Sequence, residues 1–210
     1  MNSVPEINPD NPAESGSQKF LRQYELVDLV RAYDPSVDET LLNKAYVFSV
    51  KAHGEQKRHS GDPYYAHPIE VAGILADLHL DVASVCTALL HDVLEDTDTT
   101  YEELAEIFTP EIADLVNGVT KLGQLSMPNA TREQAQAENF QKFVLAMSKD
   151  VRVLLVKLCD RLHNMRTLGA MPRHKQLKIA AETTYIYAPL AHRLGLYSFK
   201  TEFQDLCMKI

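Results

Sequence analysis

The length and composition of the chain predict one globular domain. Its 210 residues are 45% hydrophobic and 24% charged, a balance that can bury a single sizeable core. The formal net charge of −8 argues against a broad basic surface, so no direct nucleic-acid binding is expected. No run reaches the roughly 18 apolar residues of a membrane span. Three widely spaced cysteines favour reduced thiols, so we expect a cytoplasmic protein that does not bind membranes.

Helical patterns dominate the chain after a polar start. Residues 1–18 are rich in Pro, Asn, Ser and Glu and are expected to form a flexible tail. The RHSGDPYY and MPNA phrases, residues 58–65 and 127–130, predict loops. The apolar spacing predicts an all-α fold, a compact multi-helix bundle, with a buried helix over residues 150–168. Further helices are predicted over residues 19–33, 37–56, 67–79, 82–94, 100–108, 110–123, 132–148 and 173–193.

Four local signals predict where helices begin. Three fit the capping box, in which a hydroxyl side chain and an acidic or amide side chain three residues later bond reciprocally to the first backbone amides. The fourth is a threonine followed by a first-turn proline. The signals are Ser36 with Glu39, Thr100 with Glu103, Thr131 with Gln134, and Thr109 before Pro110.

Four polar side chains share one face where the predicted helix over residues 82–94 ends, if its helical spacing continues for two more residues. In ALLHDVLEDTD the i to i+4 relation places His91 over Glu95 and Asp92 over Asp96. The cluster follows the apolar run VASVCTALL, and buried carboxylates and imidazoles need a cation or hydrogen bonds. A metal site is one interpretation, and a solvated acidic helix end is the other.

His67 stands where a loop meets a helix, in YYAHPIEVAG. Pro68 fits the first turn of that helix and would aim the imidazole from its start. A metal ligand and an ordinary cap or surface histidine are both consistent with this position.

Asp160 belongs to a polar stripe on the predicted buried helix. Asp160, Asn164 and Thr167 fall at i, i+4 and i+7, while leucines and Met165 form another stripe. The alternative to a functional role is an ion pair with Arg161 or Arg166.

Together these candidates form a mixed nitrogen and oxygen ligand set. Such a set suits Mn²⁺ or another first-row divalent ion better than a thiolate zinc site. One ion with four protein ligands keeps positions for water and a phosphate oxygen, as metal-assisted hydrolysis requires. Glu95 and Asp96 would orient and deprotonate that water. The candidate ligands are His67, His91, Asp92 and Asp160.

The same residues resemble a known family. The pattern of a histidine, a His-Asp pair and a distant aspartate is similar to the HD phosphohydrolase superfamily. Longer phrases resemble the amino-terminal hydrolase domain of the Rel/SpoT stringent-response enzymes, in order from about residue 24 to the chain's end. They are SGDPYYAHPIEVAGILADL, LLHDVLEDTDTTYEEL, VNGVTKLG, MSKDVRVLLVKLCDRLHNMRTL and YAPLAHRLGL.

The resemblance implies an activity and a role for each site residue. Family members of this type remove pyrophosphate from the 3′ position of (p)ppGpp, returning GDP or GTP, and depend on Mn²⁺. Carried over by motif, His67, His91, Asp92 and Asp160 would bind the ion, and Glu95 with Asp96 would activate water. Every one of these positions is intact, so an active enzyme is expected.

The resemblance also implies substrate contacts. Arg58 of the RHSG loop would stack on or flank the guanine, and Asn164 and Thr167 would hold the sugar or base. His59 departs from the Lys or Ser of many hydrolase-competent members, but a histidine can still stack on the base or contact a phosphate. Lys57 and Arg161 are nearby cations for an anionic substrate. Tyr187 could line the pocket or simply pack.

The resemblance implies the following organisation: a tail over residues 1–18, a hydrolase domain over 19–196, and over 197–210 the start of a connection to a synthetase domain absent from this chain. Synthetase and regulatory domains would be its partners in a full-length protein. Two alternatives remain: an HD phosphohydrolase of broader nucleotide specificity, and a nucleotide-binding regulatory domain without turnover.

Overall fold

The computed structural model describes residues 20–123 and 149–210. Within these ranges every regular element is helical and no β-strand forms, which confirms the predicted all-α class. One antiparallel bridge, between Lys57 and Pro63, closes the predicted loop over residues 58–65. The predicted tail, the loop over 127–130, the helix over 132–148 and its cap at Thr131 lie outside the described residues.

The helices follow the predicted order. The first half of the described chain contains α1 (Gln23–Tyr33), α2 (Glu39–His53), α3 (Ala66–Asp77), α4 (Val82–Leu90), α5 (Val93–Asp96), α6 (Tyr101–Ile107) and α7 (Pro110–Gly123). The second part contains α8 (Val151–Arg166), a 3₁₀ turn (Leu168–Ala170), α9 (Arg173–Glu182), a π segment (Thr183–Tyr187), α10 (Ala188–Arg193) and α11 (Tyr197–Met208).

Helix α4 lies at the centre of the bundle. Every residue from Ala83 to Leu90 is buried, and a helix that is apolar on all sides belongs in a core. It packs against α2, α3, α7 and α8. Helix α8, the predicted buried helix, in turn contacts α3, α7, α11 and the π segment, so α4 and α8 organise the fold. The carboxyl end of α4 therefore lies among the helices of the core.

Two of the predicted helix starts are confirmed and one is wrong. Thr100 Oγ1 accepts from the Glu103 amide at 3.2 Å, and Glu103 Oε2 accepts from the Thr100 amide at 2.8 Å. Thr109 Oγ1 accepts from the Ile112 amide at 3.1 Å. The cap predicted at Ser36 with Glu39 is wrong, because the Asp38 carboxylate accepts from the Leu41 amide instead.

The helix predicted over residues 82–94 is interrupted at His91 and Asp92. Nδ1 of His91 lies 2.7 Å from the carbonyl oxygen of Ala88. In a continuous helix that carbonyl would accept from the amide of Asp92. The imidazole takes its place, α4 ends at Leu90, and a new turn, α5, begins at Val93. Of the two predicted stacked pairs, only Asp92 and Asp96 keep a helical hydrogen bond, at 2.9 Å.

The helix predicted over 173–193 contains the π segment. Pro189 lacks an amide proton, and its ring would clash with the carbonyl four residues earlier in a regular α-helix. The hydroxyls of Thr183 and Thr184 also bond to the carbonyls of Ile179 and Ala180, at 2.7 and 2.9 Å. Both effects favour the wider turn.

Helix α11 packs against α10, the π segment and α8. Phe203 is fully buried there and Phe199 nearly so. Within the described ranges, no helix is both long and apolar enough to cross a membrane.

Candidate metal centre and active site

The interruption after α4 aims His91 at the centre of the site. Its Nδ1–H donates to the carbonyl of Ala88 at 2.7 Å, so Nε2 is the nitrogen that faces the other candidate ligands. Nε2 is buried and has no hydrogen-bond partner. Asp92 Oδ1 lies 3.1 Å from it, outside hydrogen-bonding direction. A buried imidazole nitrogen left without a partner fits a metal ion.

The other two predicted ligands come from different helices and reach the same point. His67, in the first turn of α3, places Nε2 3.1 Å from Asp160 Oδ1 on α8 and 3.7 Å from Asp92 Oδ2. His91 Nε2 lies 3.8 Å from Asp160 Oδ1. Ligand atoms at about 2.1 Å from one octahedral ion are about 3 Å apart, so the donor set fits a single ion. Donor atoms of His67, His91 and Asp92 lie within 4.8 Å of one another.

The charges at this point favour a cation. Burial opposes a charge on His91, but Asp92 and Asp160 outweigh it and raise the pKa of the imidazole to about 10. Burial also opposes ionisation of Asp160, yet Lys157 and the two histidines hold the pKa of that carboxyl well below its ordinary range. Two buried carboxylates that stay ionised attract positive charge.

The partner of Asp160 is not one of the arginines considered above. Lys157 Nζ lies 2.8 Å from Asp160 Oδ2. Arg161 pairs with Glu182 at 3.1 Å, and Arg166 pairs with Glu202 at 2.7 Å. The proposed alternative, an ion pair of Asp160 with Arg161 or Arg166, is therefore wrong.

The two predicted proton-transfer residues lie on α5, beside Asp92. Partial withdrawal of Glu95 from water raises its pKa, with Lys157 opposing the shift. Asp96 Oδ2 accepts a hydrogen bond from the Tyr64 hydroxyl at 2.5 Å, and the same hydroxyl lies 3.1 Å from Asp92 Oδ2. A raised carboxyl pKa favours a general base near neutral pH.

A cavity of about 700 Å³ opens over these residues. Its lining includes the carboxylates of Asp92, Glu95, Asp96 and Asp160 together with several cationic side chains. Its volume is in the range of small-molecule sites. The predicted residues in its lining are Lys57, Arg58, His59, His67, Asp92, Glu95, Asp96, Asp160, Arg161, Asn164 and Thr167.

Two predicted site residues lie behind the cavity surface. His91 is buried beneath the carboxylates. Tyr187 is also buried, and its ring stacks under Arg161, whose Cζ is 4.2 Å from the ring centroid. Tyr187 therefore supports a residue of the wall.

Sequence reasoning missed several residues at the site. Lys157 and His163 lie three residues before and after Asp160, a helical spacing that could have revealed them. Lys175 and Lys178 line the cavity from α9 and also have i to i+3 spacing. Tyr64 gave no local signal, because its carboxylate contacts lie 28 and 32 residues away in the chain.

His163 has partners that its position in the sequence did not indicate. Its Nδ1 lies 2.7 Å from Nδ1 of His67 and 3.3 Å from Nη1 of Arg58. Burial, together with His67 and Arg58, lowers the pKa of His163 to about 3, so the ring is neutral.

The fold and the paired histidines and carboxylates define a class of protein. The chain belongs to the HD domain family, whose profile matches residues 45–197. HD domains are metal-dependent, and the clustered donors of His67, His91 and Asp92 agree with that property.

Known relatives narrow the comparison. GTP pyrophosphokinase rsh of Brucella ovis is 56% identical over 190 residues, which are 90% of this chain and 25% of the relative. The bifunctional (p)ppGpp synthase/hydrolase SpoT of Escherichia coli is 48% identical over 181 residues, 86% of this chain and 26% of the relative. These matches confirm the resemblance to Rel/SpoT enzymes. The chain spans about a quarter of the length of these relatives.

A solved structure shares the fold. It is described as a metazoan orthologue of SpoT that hydrolyses ppGpp, and it matches with a TM-score of 0.55 at 22% identity. The match covers 79% of this chain and 93% of the other. At this identity the likeness concerns the fold alone.

Proposed function

We propose that this chain hydrolyses the 3′-pyrophosphate of (p)ppGpp, releasing pyrophosphate and GDP or GTP, with Mn²⁺ as its ion. The observation that carries the proposal is the cluster of two histidines and two aspartates whose donor atoms lie 3.1 to 3.8 Å apart, at a cavity that cationic side chains also line. His67, His91, Asp92 and Asp160 would hold the ion. The Rel/SpoT relatives support this choice of substrate.

The side chains divide the remaining work. A divalent ion, when bound, would screen phosphate charge and acidify water. Glu95 and Asp96 accept the proton of the attacking water, consistent with the raised pKa of Glu95. The water oxygen bonds to the phosphorus nearest the ribose as the bond from that phosphorus to the 3′ oxygen breaks. The 3′ oxygen stays on the nucleoside and takes up a proton, which balances the proton given to the carboxylates, and pyrophosphate is released.

The cationic wall suits a substrate with two diphosphates. Lys57, Arg58 and His59 of the loop line the cavity, and so do Lys175 and Lys178 of α9. Cations placed around a small pocket concentrate an anionic ligand. Leu168, Met171 and Ile179 supply apolar lining for a base. Arg58, Asn164 and Thr167 remain our candidates for contacts to the base or sugar, and Arg161 for phosphate charge.

The test is a hydrolysis assay with ppGpp and Mn²⁺. The wild-type chain should release pyrophosphate and GDP, and Asp92→Asn should lose both metal and activity. Glu95→Gln with Asp96→Asn should keep the ion but turn over at least about a hundredfold more slowly, because a general base is lost. Loss of the ion in that double variant would make the pair ligands.

Other outcomes would replace the proposal. Hydrolysis of several nucleotides at similar rates would indicate an HD phosphohydrolase of broader specificity. Saturable ppGpp binding without pyrophosphate release, unchanged in Asp92→Asn, would indicate a regulatory nucleotide-binding domain.

A further inference from the structure

Two hydrogen-bonded bridges connect the RHSG loop to the candidate metal ligands. One bridge runs from Nη1 of Arg58 to Nδ1 of His163 at 3.3 Å, and from there to Nδ1 of His67 at 2.7 Å. The other runs from Nη2 of Arg58 to Oδ1 of Asn164 at 2.8 Å, and from Nδ2 of Asn164 to Oδ1 of Asp160 at 2.6 Å. Each bridge ends on a different ligand of the proposed ion.

The first bridge determines which nitrogen of His67 carries the proton. A guanidinium can only donate, so Nδ1 of His163 is the unprotonated nitrogen, and its one lone pair is shared between Arg58 at 3.3 Å and His67 at 2.7 Å. Two unprotonated ring nitrogens 2.7 Å apart would repel, so Nδ1 of His67 must carry a proton and donate it. The lone pair of His67 then lies on Nε2, the nitrogen that faces Asp160 and Asp92.

The second bridge determines the orientation of an amide. Because Arg58 donates to Oδ1 of Asn164, the NH₂ group must face the other way. It donates to Oδ1 of Asp160, the same oxygen that lies 3.1 Å from His67 Nε2. Arg58 thus determines both which nitrogen of His67 carries the proton and which way the amide of Asn164 faces Asp160.

We propose that His163 is a positioning residue which, held by Arg58, keeps His67 in the tautomer that binds the metal ion. The inference rests on the proposed metal site. It gives Arg58 a role in metal affinity even before nucleotide binds. Residues beyond the ligands commonly act in this way, by fixing the ring orientation and the tautomer of a ligating histidine.

The experiment compares three substitutions of His163 in the metal-free chain. The Oδ1 of an asparagine overlays the Nδ1 of a histidine, so His163→Asn keeps an acceptor where Arg58 and His67 need it. In His163→Gln the polar group falls at the Nε2 position, and His163→Leu has no acceptor. The exposed His174 lies outside the cavity lining, and His174→Asn controls for the histidine-to-asparagine change.

Two measurements follow for each variant. Calorimetric titration with Mn²⁺ alone should show about 10- to 100-fold weaker binding for His163→Leu and His163→Gln. His163→Asn and His174→Asn should stay within about threefold of wild type, well below that loss. Imidazole ¹⁵N spectra should show the His67 proton on Nδ1 in wild type and His163→Asn, and a shift toward Nε2 in His163→Leu. Arg58→Met should weaken Mn²⁺ binding in the same direction.

The outcomes separate this inference from the proposed function. Wild-type affinity in His163→Leu, or equal rescue by His163→Gln and His163→Asn, would overturn the positioning role while leaving the metal site standing. If His163→Leu does not fold, the comparison of asparagine with glutamine decides. A wild-type chain that binds no Mn²⁺ would overturn both ideas, and one that binds Mn²⁺ as expected but releases no pyrophosphate would overturn only the hydrolase.

Discussion

At the scale of single residues, the hydroxyl of Tyr64 connects the candidate metal ligands with the candidate base. It lies 2.5 Å from Asp96 Oδ2 and 3.1 Å from Asp92 Oδ2. Burial, followed by the charge of Asp92 and the hydrogen bond to Asp96, raises the pKa of Tyr64, so the phenol keeps its proton. A phenol has one proton to donate, and the shorter contact assigns it to Asp96.

Tyr64→Phe should therefore slow turnover more than it weakens substrate binding. A hydrogen bond to a charged group contributes about 1.5–3 kcal/mol, so kcat should fall about tenfold or more. KM should change less than about threefold, because in the structure the hydroxyl bonds to carboxylates of the protein. Steady-state kinetics with ppGpp and saturating Mn²⁺ measures both.

The neighbouring tyrosine offers a matched control for that change. Tyr65 does not belong to the cavity lining and packs against the core, so Tyr65→Phe should leave kcat within about twofold of wild type. A normal kcat with a raised KM in Tyr64→Phe would assign the hydroxyl to substrate binding and contradict its role in orienting Asp96.

The limits of sequence reasoning at this scale are physical. His67, His91, Asp92 and Asp160 could be proposed as ligands because metal binding restricts residue type and because the family phrases surround them. Tyr64 and its hydrogen bonds could not be predicted, since a tyrosine in a loop is compatible with many environments and its partners depend on where that loop lies relative to α5. Which ring nitrogen of His67 carries the proton depends on neighbours that are still more distant in the chain.

At the scale of helices, Gly118 permits close packing of α7 against α8. A Cβ at this position would lie 2.8 Å from Cγ2 of Val153, a branched side chain with little freedom to move. This contact matters for the site, because α8 carries Asp160. Helix α7 also ends beside the site, since a Cβ added at Gly123 would lie 3.2 Å from Glu95 Oε1.

Gly118→Ala should destabilise the fold by about 1 kcal/mol. Overpacking costs about 1–3 kcal/mol and exceeds the gain of about 1 kcal/mol in helix propensity. Combining it with Val153→Ala should relieve the clash, so urea denaturation of the four proteins should give a coupling energy of about 1 kcal/mol or more.

Gly169 provides the control for this cycle. A Cβ there meets nothing within 4 Å, so Gly169→Ala should stay within about 0.5 kcal/mol of wild type. The same loss from Gly118→Ala in the wild-type and Val153→Ala backgrounds would show that the two side chains do not compete for space.

Helix positions were predictable from the sequence to the extent that local chemistry decides them. The cap at Thr100 needs only Glu103, three residues away, and it is confirmed. The break after Leu90 depends on an imidazole that turns back to the carbonyl of Ala88, a choice that the buried site stabilises and the apolar pattern cannot reveal. The predicted cap of α2 was Ser36 and the observed cap is Asp38. Both residues can cap a helix and they lie within one turn, so the sequence alone does not decide between them.

At the scale of the whole molecule, the candidate site joins elements that are far apart in the chain. His67 belongs to α3, His91 and Asp92 to the turn between α4 and α5, and Asp160 to α8. An all-α fold was predictable because the apolar period is local, but this meeting of helices depends on packing across α4. A cation at this point would connect three parts of the core, so its binding free energy should add to folding stability.

Mn²⁺ should therefore raise the unfolding temperature of the chain. An ion present at about 100 times its Kd stabilises the folded state by about 2.7 kcal/mol. For a domain of this size that corresponds to a rise of about 5–10 °C over the same protein in EDTA, measured by differential scanning calorimetry. Asp92→Asn keeps the shape of the side chain but loses its charge, so the rise should disappear. An equal rise of the unfolding temperature in both proteins would mean that Mn²⁺ binds elsewhere. No rise in the wild-type chain would contradict the proposed metal site.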